Sequence, residues 1–104
     1  MMMKFVIIQC VKAYHPELEK IFKAIKINAY SEMDVEGFME QADGTTDFSN
    51  WFAASKNPYN YMVSFMFLAD DKADKLLERI NEFNNTVEGM SPMNAYIVGV
   101  EKFV

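Results

Sequence analysis

Apolar and polar positions along this chain follow two periods, and the points where the period changes mark out the elements. Met3–Val11 (MKFVIIQCV) is almost continuously apolar and rich in β-branched residues, the pattern of a central strand covered on both faces. Pro16 then suits a first helical turn, where its missing N–H costs nothing, and Glu17 and Glu19 favour the positive end of the helix dipole. Leu18, Ile21, Phe22 and Ile25 recur at spacings of three and four, which predicts an amphipathic helix with one apolar stripe. Over Ala29–Phe38 the period falls to two. Ala29, Ser31, Met33 and Val35 alternate with Tyr30, Glu32, Asp34 and Glu36, which predicts a strand with an apolar face and an acidic, solvated outer face.

From Gly37 to Pro58 the sequence reads as one long excursion, with Phe48, Trp51 and Phe52 at helical spacing behind the candidate cap Asp47. Tyr61–Ala69 (YMVSFMFLA) is a second strand of the buried kind, and Asp70 and Asp71 are candidate caps for a second helix. Ala73, Leu76, Leu77, Ile80 and Phe83 form the stripe of that helix, which stops near Asn84-Asn85, and Ala95–Phe103 reads as the last strand. The order β-α-β-β-α-β, with right-handed crossovers, predicts an α+β, ferredoxin-like domain spanning residues 1–104. Its four-stranded antiparallel sheet carries both helices on one face and a long loop, 37–58, between the second and third strands. The middle strands have apolar residues for two faces and helices for one. Oligomerisation through the bare face is therefore expected.

Composition narrows the function classes. A net charge of −5 argues against nucleic-acid binding, and Lys20, Lys23 and Lys26 are accounted for by the carbonyl end of the first helix. The single cysteine, Cys10, cannot form an internal disulfide. The opening methionines do not read as a leader and the longest apolar run is too short to span a bilayer, so a cytoplasmic protein is expected.

Candidate chemistry is sparse. Cys10 and His15 lie near each other, but a nucleophilic pair needs an orienting third group, and a thiol in an apolar strand is usually inert packing. His15 reads better as a helix-entry residue beside Pro16. There is no glycine-rich phosphate loop and no nucleophile elbow, so no catalytic residue is assigned and the chain is expected not to be an enzyme. Nine methionines admit a soft-metal reading, a copper or silver binder allied to metal tolerance or efflux. Met33, Met62 and Met66 fall on strands and suit packing, whereas Met39, Met90 and Met93 fall in predicted loops and are the candidate ligands. Phe48, Trp51 and Phe52 make the long excursion too aromatic for an inert linker; they either cover the protein itself or anchor a partner.

The run from Ile27 to Gln41, and within it Glu36-Gly37-Phe38 with Gln41, resembles the strand and loop base of PII-type signalling proteins, "T-V-x-E-V-x-G-F-G-R-Q". The order of elements matches over nearly the whole chain, and the 37–58 excursion falls where that family has its T-loop. The resemblance implies a homotrimeric, non-enzymatic regulator that binds a small effector in its clefts and a partner protein, such as a membrane transporter, through the loop. By position, Gly37, Phe38 and Gln41 would lie at the loop base beside the effector cleft, with Glu88 and Gly89 from the segment after the second helix. Two departures stand out. Glu40 replaces the family's Arg, and Thr86-Val87-Glu88-Gly89-Met90-Ser91-Pro92-Met93 stands where the family has "T-G-x-I-G-D-G-K". One glycine and no lysine lack the amides and the cation that cradle a triphosphate, which argues against ATP sensing of the usual kind and leaves the effector unassigned. The layout is also similar to that of the trimeric CutA-type divalent-cation tolerance proteins. A small ferredoxin-like enzyme of monooxygenase type is the remaining alternative, and it would need a pocket with a polar catalytic group.

Overall fold

The computed structural model describes residues 2–37 and 59–104. The elements run β1 (Met3–Val11), a 3-10 turn (Lys12–Tyr14), α1 (His15–Ala24), β2 (Ser31–Gly37), β3 (Tyr59–Ala69), α2 (Asp70–Thr86) and β4 (Met93–Gly99). The four strands form one antiparallel sheet in the order β2-β3-β1-β4, the arrangement expected of a ferredoxin-like fold.

Register explains which residues make the core. Val6, Ile8 and Cys10 of β1 lie opposite Met66, Ser64 and Met62 of β3 and opposite Ile97, Ala95 and Met93 of β4. This row faces the helices, and Val6, Ile8, Cys10 and Ser64 are fully buried there. Leu18 and Phe22 of α1 and Ala73, Leu76 and Ile80 of α2 close the core from above, as both stripes predict. Burying each large side chain of this set contributes about 1.5–3 kcal/mol. Phe22 also meets Tyr30 at 4.5 Å between ring centroids, and Tyr14 meets Phe83 edge-on at 5.8 Å.

Among the described residues no helix lies on the other sheet face. Phe5, Ile7, Phe65, Phe67, Tyr96 and Val98 line it, and Phe67 is 58% and Val98 50% exposed. The near-continuous apolar run of β1 therefore alternates in burial within a lone chain, whereas on β3 Tyr61 is buried although it points away from the helices.

Several boundaries differ from the sequence expectation for identifiable reasons. β4 begins at Met93, two residues early, because the Asn84 side chain holds both backbone groups of Met93: Nδ2 donates to the carbonyl at 2.7 Å and Oδ1 accepts from the N–H at 3.2 Å. It ends at Gly99 because its partner β1 runs out, and the N–H of Val100 makes a last bond to Met3. β2 begins at Ser31, where its pairing with β3 begins at Phe65. Asp70 and Asp71 lie inside the first turn of α2 rather than at its cap, which is Ala69, and each carboxylate accepts from the next backbone N–H. The expected helical segment around Phe48, Trp51 and Phe52 lies outside the described residues.

Candidate functional site

The base of the long excursion lies at one end of the sheet. β2 delivers the chain to Gly37, which is buried and pairs with Tyr59, where β3 begins. The same end receives the close of β1 at Val11 and the start of β4, with the N–H of Val11 donating to the Pro92 carbonyl at 2.9 Å. The segment joining α2 to β4, carrying Glu88, Gly89 and Met90, is thus tied to this end of the sheet as well. In the strand order, however, β2 and β4 are opposite edges, three inter-strand steps or about 14 Å apart. Within one chain, Gly37 and the Glu88-Gly89 segment share an end of the sheet but lie at its opposite edges. Gly89 has φ of +72° and open space around it, so the turn there uses the conformational freedom of glycine.

A groove of about 270 Å³ runs along the β2 side of this end, lined by Lys12, Asp34, Val35, Glu36, Asn60 and Tyr61. Lys12 Nζ is 3.2 Å from Asp34 Oδ2, both exposed, so this ion pair adds little stability but sets one positive charge against the acidic lining. A wider hollow of about 590 Å³, lined by Asn28–Ser31 and Phe65–Phe67, lies at the far end, away from the loop base.

Further along β2, toward its start, the structure assembles a polar cluster that no motif in the sequence announces. Register puts Glu32, Asp34 and Glu36 on the helix side of the sheet, opposite Ser64, Met62 and Asn60, and not on an outer face. The apolar partners Met33 and Val35 instead join the uncovered face, where Met33 is 49% exposed. Asp34 and Glu36 stay wet because β2 is an edge strand beyond the reach of α1, but Glu32 lies under His15. Its Oε2 accepts from Ser64 Oγ at 2.8 Å and lies 2.6 Å from His15 Nε2, while His15 Nδ1 lies 3.3 Å from Glu19. Both imidazole nitrogens therefore face carboxylate oxygens. His15 does open α1 as expected, and it also ties that helix to the loop-bearing strand.

The chemistry open to these groups is limited. Ser64 is fully buried, so its hydroxyl, which donates to Glu32, is not presented to a molecule arriving from solvent. Cys10 is fully buried, its thiol donates to the Val11 carbonyl at 3.3 Å, and burial, followed by the negative charge of Glu32, pushes it up to about 12. It is a neutral thiol at ordinary pH and not a nucleophile. Among the described residues, no group of three or more His, Cys, Asp or Glu side chains could hold a metal ion. Of the methionines considered as soft ligands, Met93 packs in the core beside Cys10, Met90 is 38% exposed on its loop, and Met39 lies outside the described residues. Phe38, Gln41, Phe48, Trp51 and Phe52 lie outside them too.

No known family of sequences and no curated protein matches this chain by sequence. Solved structures do match, and over almost its whole length. A PII-like signalling protein from Thermus thermophilus superposes with a TM-score of 0.62 at 16% identity, over 94% of this chain and 86% of that one. Bacillus subtilis GlnK gives 0.65 at 12% identity, over 97% and 87%. The nitrogen regulatory PII-like protein CPII from Thiomonas intermedia K12, solved with ADP, AMP and bicarbonate, gives 0.60 at 12% identity, over 98% and 96%. The chain has the ferredoxin-like fold of the PII-like and GlnK nitrogen regulatory proteins, in divergent form. Among the described residues no helix is long and apolar enough to cross a membrane.

Proposed function

We propose that the protein is a PII-like regulator: a homotrimer that binds a small effector at the loop base and contacts a partner protein through the 37–58 excursion. The observation that carries this reading is the placement of that excursion. It leaves the sheet between β2 and β3, at the end where the α2–β4 segment also lies, within a fold matched over 94–98% of the chain by PII-like proteins.

Two features of the chain support the assembly. The uncovered sheet face is apolar and partly exposed, a surface that a second copy would bury. Gly37 and the Glu88-Gly89 segment, at opposite sheet edges, come together only when one copy's β2 edge meets the next copy's β4 edge, as a closed ring of heterologous contacts allows. The effector cleft then belongs to two chains. Its chemistry departs from phosphate cradling, because the α2–β4 segment brings Glu88, one glycine and no lysine. A small effector other than a triphosphate, sensed in the cytoplasm, fits these residues better, and the bicarbonate seen with CPII is an example of the size class.

Trp51 is the sole tryptophan and lies in the excursion, so its emission reports on the loop directly. Light scattering of the purified protein should give the mass of three chains. Titration with bicarbonate, AMP, ADP and ATP should change Trp51 emission for a small effector and leave it flat for ATP. A monomer at high concentration, or emission indifferent to all four compounds, overturns the proposal.

A further inference from the structure

We infer that the segment after β4, Glu101–Val104, docks into a hollow on the next copy of this chain with Phe103 as its anchor, which rests on the trimeric reading above. The segment leaves the sheet where β4 ends. Beyond the bond from the Val100 N–H to the Met3 carbonyl all four residues are exposed, and Phe103 is 71% so. Its receptor is the hollow of about 590 Å³ lined by Asn28–Ser31 and Phe65–Phe67. That hollow exists because β3 outruns β2. The pairing of β2 begins at Ser31 opposite Phe65, so Met66–Ala69 pair with β1 alone. Four residues of strand, about 14 Å, are left with an open edge beside the hollow. An open edge accepts an extended segment, and pockets beside it select the side chains. Tyr30, Phe65 and Phe67, none of them buried, supply aromatic walls for the Phe103 ring.

Placement makes a second copy the donor. Segment and hollow lie at the same end of the sheet, away from the excursion, but on opposite edges, β4 and β2. Within one chain about 14 Å separates those edges, which is the full reach of four extended residues. Met2 and Asp70, joined by a backbone bond of 3.0 Å, stand in the way across the ends of β1 and β3. Between copies the geometry is direct. When one copy's β4 edge meets the next copy's β2 edge with their loop ends together, the far ends coincide too. The segment then emerges beside the neighbour's hollow. Each copy gives one segment and receives one, a heterologous contact that every copy satisfies only when the ring closes.

The test combines Ser31→Cys, at the rim of the hollow, with Phe103→Cys in one chain, oxidises the protein gently with diamide and reads the products on a denaturing gel. Linked species of two and three chains are expected from the pair and from neither single variant, since the native Cys10 is buried. Phe103→Ala should raise the dissociation constant of the trimer at least about tenfold in sedimentation over a dilution series. Phe67→Ala should act alike from the receiving side, and it keeps the test open if either variant expresses poorly. Circular dichroism should be unchanged for both, because both rings are exposed in the lone chain. Links formed only within single chains, or alanine variants that assemble as tightly as wild type, overturn the docking and leave the trimer standing. A monomeric wild type overturns both.

Discussion

The His15–Glu32–Ser64 cluster can be tested by removing its central carboxylate. Glu32 is about one-fifth exposed and accepts from a hydroxyl that water does not reach. Glu32→Ala removes a hydrogen bond to a charged acceptor, about 1.5–3 kcal/mol, and strands Ser64 without its acceptor, about 1–3 kcal/mol more where the cavity stays dry. A loss of about 2–4 kcal/mol is expected, allowing for partial solvation of the His15 contact. Ser64→Ala alone should cost about 1 kcal/mol, since Glu32 keeps His15. In the double variant the stranded hydroxyl no longer exists, so its loss should fall below the sum of the single losses by about 1–2 kcal/mol. Urea unfolding followed by circular dichroism reads these differences. Chain concentration must be held fixed, because assembly contributes to apparent stability. Strictly additive losses, or a Glu32→Ala loss under about 0.5 kcal/mol, would refute the idea that this cluster secures β2.

Two single groups give further predictions. The Cys10 thiol is raised from 9.0 to about 12, chiefly by burial, so the folded state holds its proton more tightly than the unfolded one. That stabilisation is complete below pH 9 and is lost as pH rises toward 12, with a slope approaching about 1.4 kcal/mol per pH unit. Cys10→Ala should flatten this alkaline limb, and the native thiol should resist alkylation at about pH 8 until denaturant is added. Gly89→Ala meets no atom within 4 Å, so its cost is the left-handed backbone alone, about 1 kcal/mol in urea unfolding. A neutral substitution would mean that the loop reorganises freely.

The extent to which the fold was legible depends on the range of each interaction. β1 and both helix stripes are local periodicities, and residues such as Leu18, Phe22, Leu76 and Ile80 are buried where their spacing puts them. The limits of β4 were not legible, because one is set by a side chain nine residues upstream and the other by the length of β1. The His15–Glu32–Ser64 cluster joins residues 17 and 32 positions apart, and no spacing rule reaches that far. One signal was available. A serine inside the apolar run of β3 had to find an acceptor if buried, and the alternating acids of β2, in the neighbouring strand, were the natural source. Alternation separates two faces of β2 without saying which one the helices cover, so on sequence alone its acids read as the wet side.

That ambiguity bears on function, because it decides how the loop-bearing strand is attached. β2 is an edge strand that pairs only with β3, and of its seven residues only Gly37 is buried. Apolar burial therefore does little to hold it. On the helix side its remaining attachments are polar: Glu32 to His15 and Ser64, and Asp34 to Lys12. Contacts of that kind respond to charge in a way that apolar contacts do not. The groove lined by Lys12, Asp34 and Glu36 holds the exposed Lys12–Asp34 pair, and the Glu32 contacts lie outside its lining. The strand that leads into the 37–58 excursion is thus held on its helix side by polar contacts. The core strand β1, with Val6, Ile8 and Cys10 fully buried, is held by apolar packing instead.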